Sequence, residues 1–459
     1  MSGQIVPEVL RELRQLLGSA GLREGEAVAL LDPGIDTHNL DARLLALPAT
    51  REEVAAVVRL CSRHGIPVVP HGGRTGLAHG ARSHPGDLVI GTSRLDRVGA
   101  VDVANATVHA EAGVTLARVA AAAAPHGLCP GIDLGARESC TIGGMISTNA
   151  GGMDAFRFGT MRNRVLGLEA VLADGTIVSD LTAVAKSNTG LDVKQLLIGS
   201  EGTLGIVTSA VLRLEPATGP VATVMGFVPD LAAAARLLRR LQAEPSITLT
   251  RAELMSRNHV ALSAEAHGLT QLRVPACAAA LLLEASGLDG GSALEAALEG
   301  ALADGLLVDA VLPKSARELA EIWRMREDWA VERRYPGALW YDVSVPLGGL
   351  DTYLRRLEQR LAALDPGLGL YYVGHLGDGN LHLSVNAEQP VRDRSDEISP
   401  IVYDGLVAIG GSFSAEHGIG LEKKTALVRY GDPGKLAMMR AIKKALDPRA
   451  ILNPGKVLD

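Results

Sequence analysis

Cysteine pairs, an excess of positive charge and long apolar runs are all missing from this chain, and each absence removes a class of protein. The four cysteines, Cys61, Cys129, Cys140 and Cys277, stand far apart with no Cys-x-x-Cys among them. Neither a disulfide framework nor a thiolate zinc site is suggested, and a reducing, cytoplasmic setting fits best. No segment approaches the roughly 18 uninterrupted apolar residues of a membrane-spanning helix. The N-terminal MSGQIVPEVLRELRQLL reads as an amphipathic helix, not as a basic stretch followed by an apolar core and a cleavage site, so export is not expected. Aspartate plus glutamate (52) outnumber lysine plus arginine (45) for a formal net charge of -7. That balance leaves no electrostatic footprint for nucleic acid or for an anionic membrane face. Also missing is a Gly-x-Gly-x-x-Gly opening a helix within a βαβ unit, so a nicotinamide-binding Rossmann domain lacks its motif.

What is present begins with length. At 459 residues the chain exceeds the roughly 250 to 300 residues at which a single hydrophobic core stops growing, so two or more domains are expected. Thr50 opens TREEVAAVVRLCSRHG, where Thr50 and Glu53 make a capping-box pattern and Gly65 stops the helix. The strands IPVVP, DLVIG and VDVANATVHA and the helix TLARVAAAAAPHG follow, a mixed α/β texture. Residues 137–215 are rich in glycine and small polar residues and contain the hairpin-like LGLEAVLADGTIV, whose Asp174-Gly175 suits a two-residue type I′ turn. From Thr223 the order becomes strand (TVMGFV), helix (LAAAARLLRRLQA), strand (ITLTRAEL), strand (AALLLEAS), helix (SALEAALEGALA), strand (LLVDAVLP). That is the split β-α-β-β-α-β unit of a ferredoxin-like sheet, extended by the strand YDVSVPL, the helix LDTYLRRLEQRLAAL and the strand LYYVGH. The fold class is α+β, with a first domain over residues 1–216, a second over 217–410 and a C-terminal segment over 411–459.

Two segments look built to let backbone approach phosphate, PHGGRTGLAHG at 70–80 and ESCTIGGMISTNAGG at 138–152. Their glycines admit positive φ and carry no Cβ, so consecutive N–H groups can turn inward as an anion nest, for which a dinucleotide pyrophosphate is the natural guest. Ser139, Thr141, Ser147, Thr148 and Asn149 add short polar side chains. With 52 glycines, single clusters also arise by chance in turns, but IGSEGTLGIVT at 198–208 makes a third.

PHGGRTG, ESCTIGGMISTNAGGMDAFRFGTMRNRVLGLEAVLADGTIV and LIGSEGTLGIVT together resemble the FAD-binding domain of the vanillyl-alcohol-oxidase-type FAD-linked oxidases. GHLGDGNLHL, SAEHGIG and LNPGKVL are similar to the D-2-hydroxyacid dehydrogenase branch, which includes D-lactate and D-2-hydroxyglutarate dehydrogenases and the flavin subunit of glycolate oxidase. The resemblance runs in order along nearly the whole chain. It implies non-covalent FAD, with Pro70, Gly72, Gly73, Arg74, Thr75, Gly76 and Leu77 wrapping the pyrophosphate. Ser139, Thr141, Gly143, Gly144, Ser147, Asn149, Gly151 and Gly152, with Glu201, Gly202, Gly205, Ile206 and Val207, would line the ribityl chain and adenosine. Asn453 would return to the flavin domain. Some relatives bond the flavin through a histidine beside this loop; here Arg74 follows the glycine pair and His71 precedes it.

The segment YYVGHLGDGNLHLSV supports a geometric reading of its own. If Asp378-Gly379 are the central residues of a two-residue turn, His375 directly opposes His382, with Cβ atoms about 4.5 to 5.5 Å apart, close enough for two imidazoles to reach one ion. Two polar residues on an exposed strand face would give the same pattern. The resemblance favours the metal and adds Glu416 as a ligand, a His, His, Glu set suited to zinc, manganese or iron as a Lewis acid. It also implies His417 as the base that takes the hydroxyl proton, and Arg326 in WRMREDW as the residue holding the substrate carboxylate. Relatives that accept a second carboxylate carry a lysine where this chain has Trp340 and a threonine where it has Ala330. A small 2-hydroxy acid with a lactate-like or larger apolar side chain is therefore expected over 2-hydroxyglutarate. Other readings are an FAD oxidase of another alcohol, or a catalytically silent flavin subunit of an electron-transfer complex. The electron acceptor is open among quinone, flavoprotein, cytochrome and oxygen, and a homodimer is expected on general grounds.

Overall fold

The computed structural model describes residues 5–269, 272–287, 290–328 and 330–458. The chain divides into two units, Met1–Ala217 with Glu416–Asp459, and Thr218–Ala415. Residues 411–415, assigned by sequence to the C-terminal segment, belong to the second unit. A bridge between Ser344 and Ser412 and a hydrogen bond from Ala415 N to Asp342 Oδ2 (3.0 Å) tie them there. No helix among the described residues is long and apolar enough to cross a membrane, and the four cysteines are free.

The first unit starts from the helix Arg51–His64. Thr50 Oγ1 accepts from Glu53 N at 3.1 Å, and Gly65 ends the helix in the left-handed region (φ 64°). The helix buries Val54, Val57, Val58, Leu60 and Cys61 against Val68, Leu88 and Ile90, each large aliphatic contributing about 1.5–3 kcal/mol of burial. Those last three sit on the strands Val68–His71 and Leu88–Gly91, which run parallel to each other and to Leu44–Ala46, with Leu22–Glu24 antiparallel at the edge. The C-terminal motif adds to this sheet through Val68 N to Ile451 O and Asn453 N to Val68 O, both 2.7 Å.

A second, antiparallel sheet orders Thr107–Glu111, Ile206–Arg213, Val165–Val171 and Ile177–Asp180. The strand expected over VDVANATVHA covers only its second half, because Asn105 N and Nδ2 both bond the Asp102 carboxylate and close a tight turn that brings Asp102 onto Thr107. At Asp174-Gly175 the expected two-residue turn is replaced by a longer one. Leu172 pairs with Thr176, only Gly175 takes a positive φ (80°), and Asp174 Oδ1 accepts from Thr176 N. That is the three-residue hairpin loop with a left-handed glycine.

The second unit is one antiparallel sheet in the order Asp309–Val311, Val221–Val228, Ala279–Ser286, Thr248–Ser256, Gly369–His375, Asn380–Asn386, Leu339–Ser344. Its first four strands take the fourth, first, third, second order of the ferredoxin-like unit. Helix Leu231–Ala243 is capped by Asp230, whose Oδ1 accepts from Ala233 N at 2.6 Å. Helix Arg257–Ala266, capped by Ser256, interrupts the two central strands and was not anticipated. It and helix Ala316–Glu327 pack Val260, Ile322 and Met325 on the sheet residues Met225, Met255 and Leu282.

Candidate active site

In the first unit the glycine segments enclose a groove of about 330 Å³. Its walls include Pro70, Gly72, Gly73, Arg74, Thr75, Gly76 and Leu77, then Thr141, Gly143, Gly144, Ser147 and Gly151, then Glu201, Gly202, Gly205, Ile206 and Val207, and Asn453. Ser139, Asn149 and Gly152 are not among the lining residues. Asn149 Oδ1 is taken by Thr160 Oγ1 and Arg162 N, Ser139 Oγ donates to Ala136 O, and Gly152 N donates to Glu416 Oε1 at 3.0 Å. Glu416 and His417 themselves line the groove, as do Leu134, Gly135 and Ala136, which the glycine pattern did not mark.

Local packing explains why glycine stands where it does. A Cβ on Gly73 would lie 2.0 Å from Ser139 O, so only glycine lets these two segments touch. The stretch 138–152 is not simply a loop: Ile142–Thr148 is a short helix, capped by Thr141 Oγ1. His71 is buried, its Nε2 bonded to Ala81 O at 2.7 Å. Burial pushes its ring down to about 3, against the Ala81 hydrogen bond, so the ring is neutral.

In the second unit the register places Glu253, His375, His382, Asp342 and Trp340 on one face of the sheet. The two histidines are not directly opposed. His375 pairs with Asn380 and Val373 with His382, a shift of two residues from the two-residue turn. The loop is longer because Asp378 N and Gly379 N both donate to His375 O, and Gly379 sits at φ 76° with its carbonyl bonded to Val345 N at 2.9 Å. An even shift keeps both side chains on the same face. Their ring centroids are 5.6 Å apart at an interplanar angle of 87°.

Each imidazole is backed by a buried carboxylate that sequence reading did not find. His375 Nδ1 meets Glu253 Oε1 at 2.9 Å, and His382 Nδ1 lies 3.8 Å from Asp342 Oδ1. Glu253 also takes both Nε (2.8 Å) and Nη2 (2.6 Å) of Arg326 on Oε2. Burial works against its charge, but Arg326 and His375 outweigh it and hold the carboxyl down at about 2. Arg326 reaches this face from the last turn of helix Ala316–Glu327. Trp340 Nε1 donates to Glu332 Oε2 at 2.5 Å.

Comparison with known proteins assigns the chain to a family. Residues 42–180 match the FAD binding domain, and residues 219–457 match the C-terminal domain of the FAD linked oxidases. The chain belongs to the FAD linked oxidases. It is 36% identical, over 97% of its length and 80% of the relative, to a protein named probable D-2-hydroxyglutarate dehydrogenase, mitochondrial, of Oryza sativa subsp. indica. The D-2-hydroxyglutarate dehydrogenase of Bos taurus is 35% identical over 93% of this chain and 79% of that one, and that of Xanthomonas citri pv. viticola 35% over 90% and 89%. Among solved structures, p-cresol methylhydroxylase superposes with a TM-score of 0.76 at 15% identity, covering 98% of this chain and 96% of that one. Alkyldihydroxyacetonephosphate synthase does so at 0.72 and 17%, covering 98% and 86%. These likenesses establish the vanillyl-alcohol-oxidase-type FAD-binding fold.

The groove suits the cofactor of the FAD linked oxidases. Among the described residues the N–H groups of Gly72, Gly73, Arg74 and Thr75 donate to no protein acceptor, and His71 Nδ1, Arg74 Nε and Asn453 Oδ1 are buried without a hydrogen-bond partner. Buried polar groups are seldom left unpaired. A run of inward amides beside a guanidinium is what a pyrophosphate would satisfy. The second-unit face suits a cation in a different way. A histidine that ligates a metal through one ring nitrogen commonly gives the other to a carboxylate; His375 is so arranged with Glu253, whereas His382 Nδ1 stands 3.8 Å from Asp342 Oδ1, beyond hydrogen-bond distance.

Proposed function

We propose that the chain is an FAD-dependent dehydrogenase that converts a D-2-hydroxy acid with a lactate-like or larger apolar side chain to the 2-oxo acid, assisted by a divalent cation. FAD is held without a covalent bond. The cation, zinc or else manganese or iron, is held by His375 and His382 with Glu416 as the third ligand. The observation that carries the reading is the pair of imidazoles on one sheet face, each beside a buried carboxylate, with Arg326 reaching the same face from its helix. A hydroxy acid needs just such a combination, a grip on the acid and a means of acidifying the neighbouring hydroxyl.

When bound, FAD supplies the hydride acceptor at its N5, and the cation supplies Lewis-acid polarisation of the hydroxyl. The protein does the rest. Arg326 is oriented by Glu253 through Nε and Nη2, which leaves Nη1 for the substrate carboxylate. The imidazole of His417 accepts the proton of the 2-hydroxyl as the carbon is oxidised. Glu253 fixes the ring orientation of His375 through Nδ1, and Asp342 lies beside the ring of His382. The side-chain preference rests on Trp340 and Glu332. The indole occupies the position of the lysine that relatives for dicarboxylates carry, and it holds a carboxylate at 2.5 Å. A second substrate carboxylate would meet negative charge there and lose its counter-ion, a costly burial.

Purified protein, chelated and then resupplied with zinc or manganese, should be assayed with a dye acceptor against D-lactate, D-mandelate and D-2-hydroxyglutarate. Activity lost on chelation and restored by metal, with 2-hydroxyglutarate the poorest substrate, is the expected result. Equal turnover of all three acids would overturn the side-chain assignment, and indifference to chelation would overturn the cation.

A further inference from the structure

We infer that Glu201 is a positioning residue that fixes the His417 loop, acting through that loop and not on the cofactor or the acid. The inference rests on the assignment of His417 as base. Both carboxylate oxygens of Glu201 are spent on the backbone just after that histidine. Oε1 accepts from Ile419 N at 2.7 Å and Oε2 from Gly420 N at 2.9 Å. Gly418, between His417 and these amides, lies against the same carboxylate. It takes φ +81°, and a Cβ there would stand 2.7 Å from Oε1.

Glu201 is itself mounted on a fixed base. Its N–H donates to Ser147 O at 2.8 Å, and its carbonyl accepts from Asn453 Nδ2 at 2.8 Å. The far side of the loop is pinned as well, Leu421 N to Ala78 O at 2.9 Å and Val457 N to Gly420 O at 2.8 Å. Glu201 thus joins the helix Ile142–Thr148, the C-terminal motif and the catalytic loop at one point in the groove wall. A loop containing two glycines is conformationally loose by itself. Two backbone amides held by the two oxygens of one buried carboxyl group are a specific restraint on the loop, and leaving either amide without its acceptor in a buried wall is costly. The sequence motif SEGTLG gave no hint of this, since its glutamate was counted only as a cofactor-lining residue.

The decisive variant is Glu201→Gln, which keeps one acceptor oxygen and sets an NH2 against a backbone N–H. In the FAD-free protein, hydrogen exchange of a peptide covering residues 416–422 should quicken by about tenfold or more, as expected for a lost backbone hydrogen bond. In the holoenzyme FAD should stay bound, KM should hold, and flavin reduction at saturating D-lactate should slow by about 10- to 100-fold, the usual consequence of a misplaced catalytic group. In a His417→Ala background Glu201→Gln should slow the reaction no further, because its effect passes through the missing imidazole. Gly418→Ala, which crowds the same oxygen from the loop side, should reproduce the pattern if Glu201→Gln fails to fold. Unchanged exchange at 416–422, loss of FAD, or an equal further slowing in the His417→Ala background would each overturn the inference. If His417→Ala alone reduces flavin at the parent rate, it is the base assignment that falls.

Discussion

Arg326 shows how far a single residue can be read from sequence. Only the family resemblance implied that it holds the substrate carboxylate, and nothing in the spacing pointed to Glu253, which reaches His375 from 122 residues away in the chain. The pairing changes what a substitution should do. Arg326→Ala would leave the Glu253 carboxylate buried beside His375 without its stronger partner, and removing one member of a buried ion pair costs about 3–5 kcal/mol. The variant should therefore lose thermal stability as well as affinity for the acid, to be measured by denaturant unfolding and by KM. An unchanged unfolding midpoint would contradict the buried pair. His71 gives a second prediction at this scale. Its folded value near 3 lies below its ordinary 6.5, so the unfolded chain binds the proton more readily. The stability it contributes is full above pH 6.5 and is lost as pH falls toward 3. His71→Gln should flatten the decline of unfolding free energy across that window; an identical pH profile would rule it out.

At the level of elements, the alternation of strands and helices was legible where apolar periodicity is strong, as in Arg51–His64 and in the ferredoxin-like unit. Turn lengths were not. Asp-Gly is a local signal that suits a two-residue turn, yet both such hairpins here close with longer loops, each held by its own backbone hydrogen bonds. The histidine hairpin has in addition a contact remote in sequence, the backbone bond from Val345 N to Gly379 O. The short helix Ile142–Thr148 was hidden by its own glycines, whose low helix propensity is overridden by the Thr141 cap and by burial of Ile142, Met145 and Ile146. Gly379 gives the test. At φ 76°, with any Cβ placed 2.2 Å from Val345 O, Gly379→Ala should displace the loop between His375 and His382. Zinc affinity, measured by isothermal titration of the FAD-loaded protein, should weaken by about 10- to 100-fold, the range seen when the support of a metal ligand is disturbed. Unaltered affinity would separate the hairpin from the metal.

For the whole molecule, the order of motifs along the chain gave the family and the two-part organisation, because those motifs are contiguous and chemically specific. The groove in one unit and the histidine cluster in the other are assembled from segments far apart in the chain, and that assembly is a product of folding that no local pattern displays. The account stands on the claim that a yellow cofactor seated in the first unit is reduced by a 2-hydroxy acid. The direct measurement is a single anaerobic mixing of the purified holoenzyme with excess D-lactate or D-mandelate, followed by absorbance of the oxidised flavin near its visible maximum. Bleaching without any added acceptor is the predicted result. A protein that carries no flavin, or whose flavin stays oxidised with every 2-hydroxy acid tried, would contradict it.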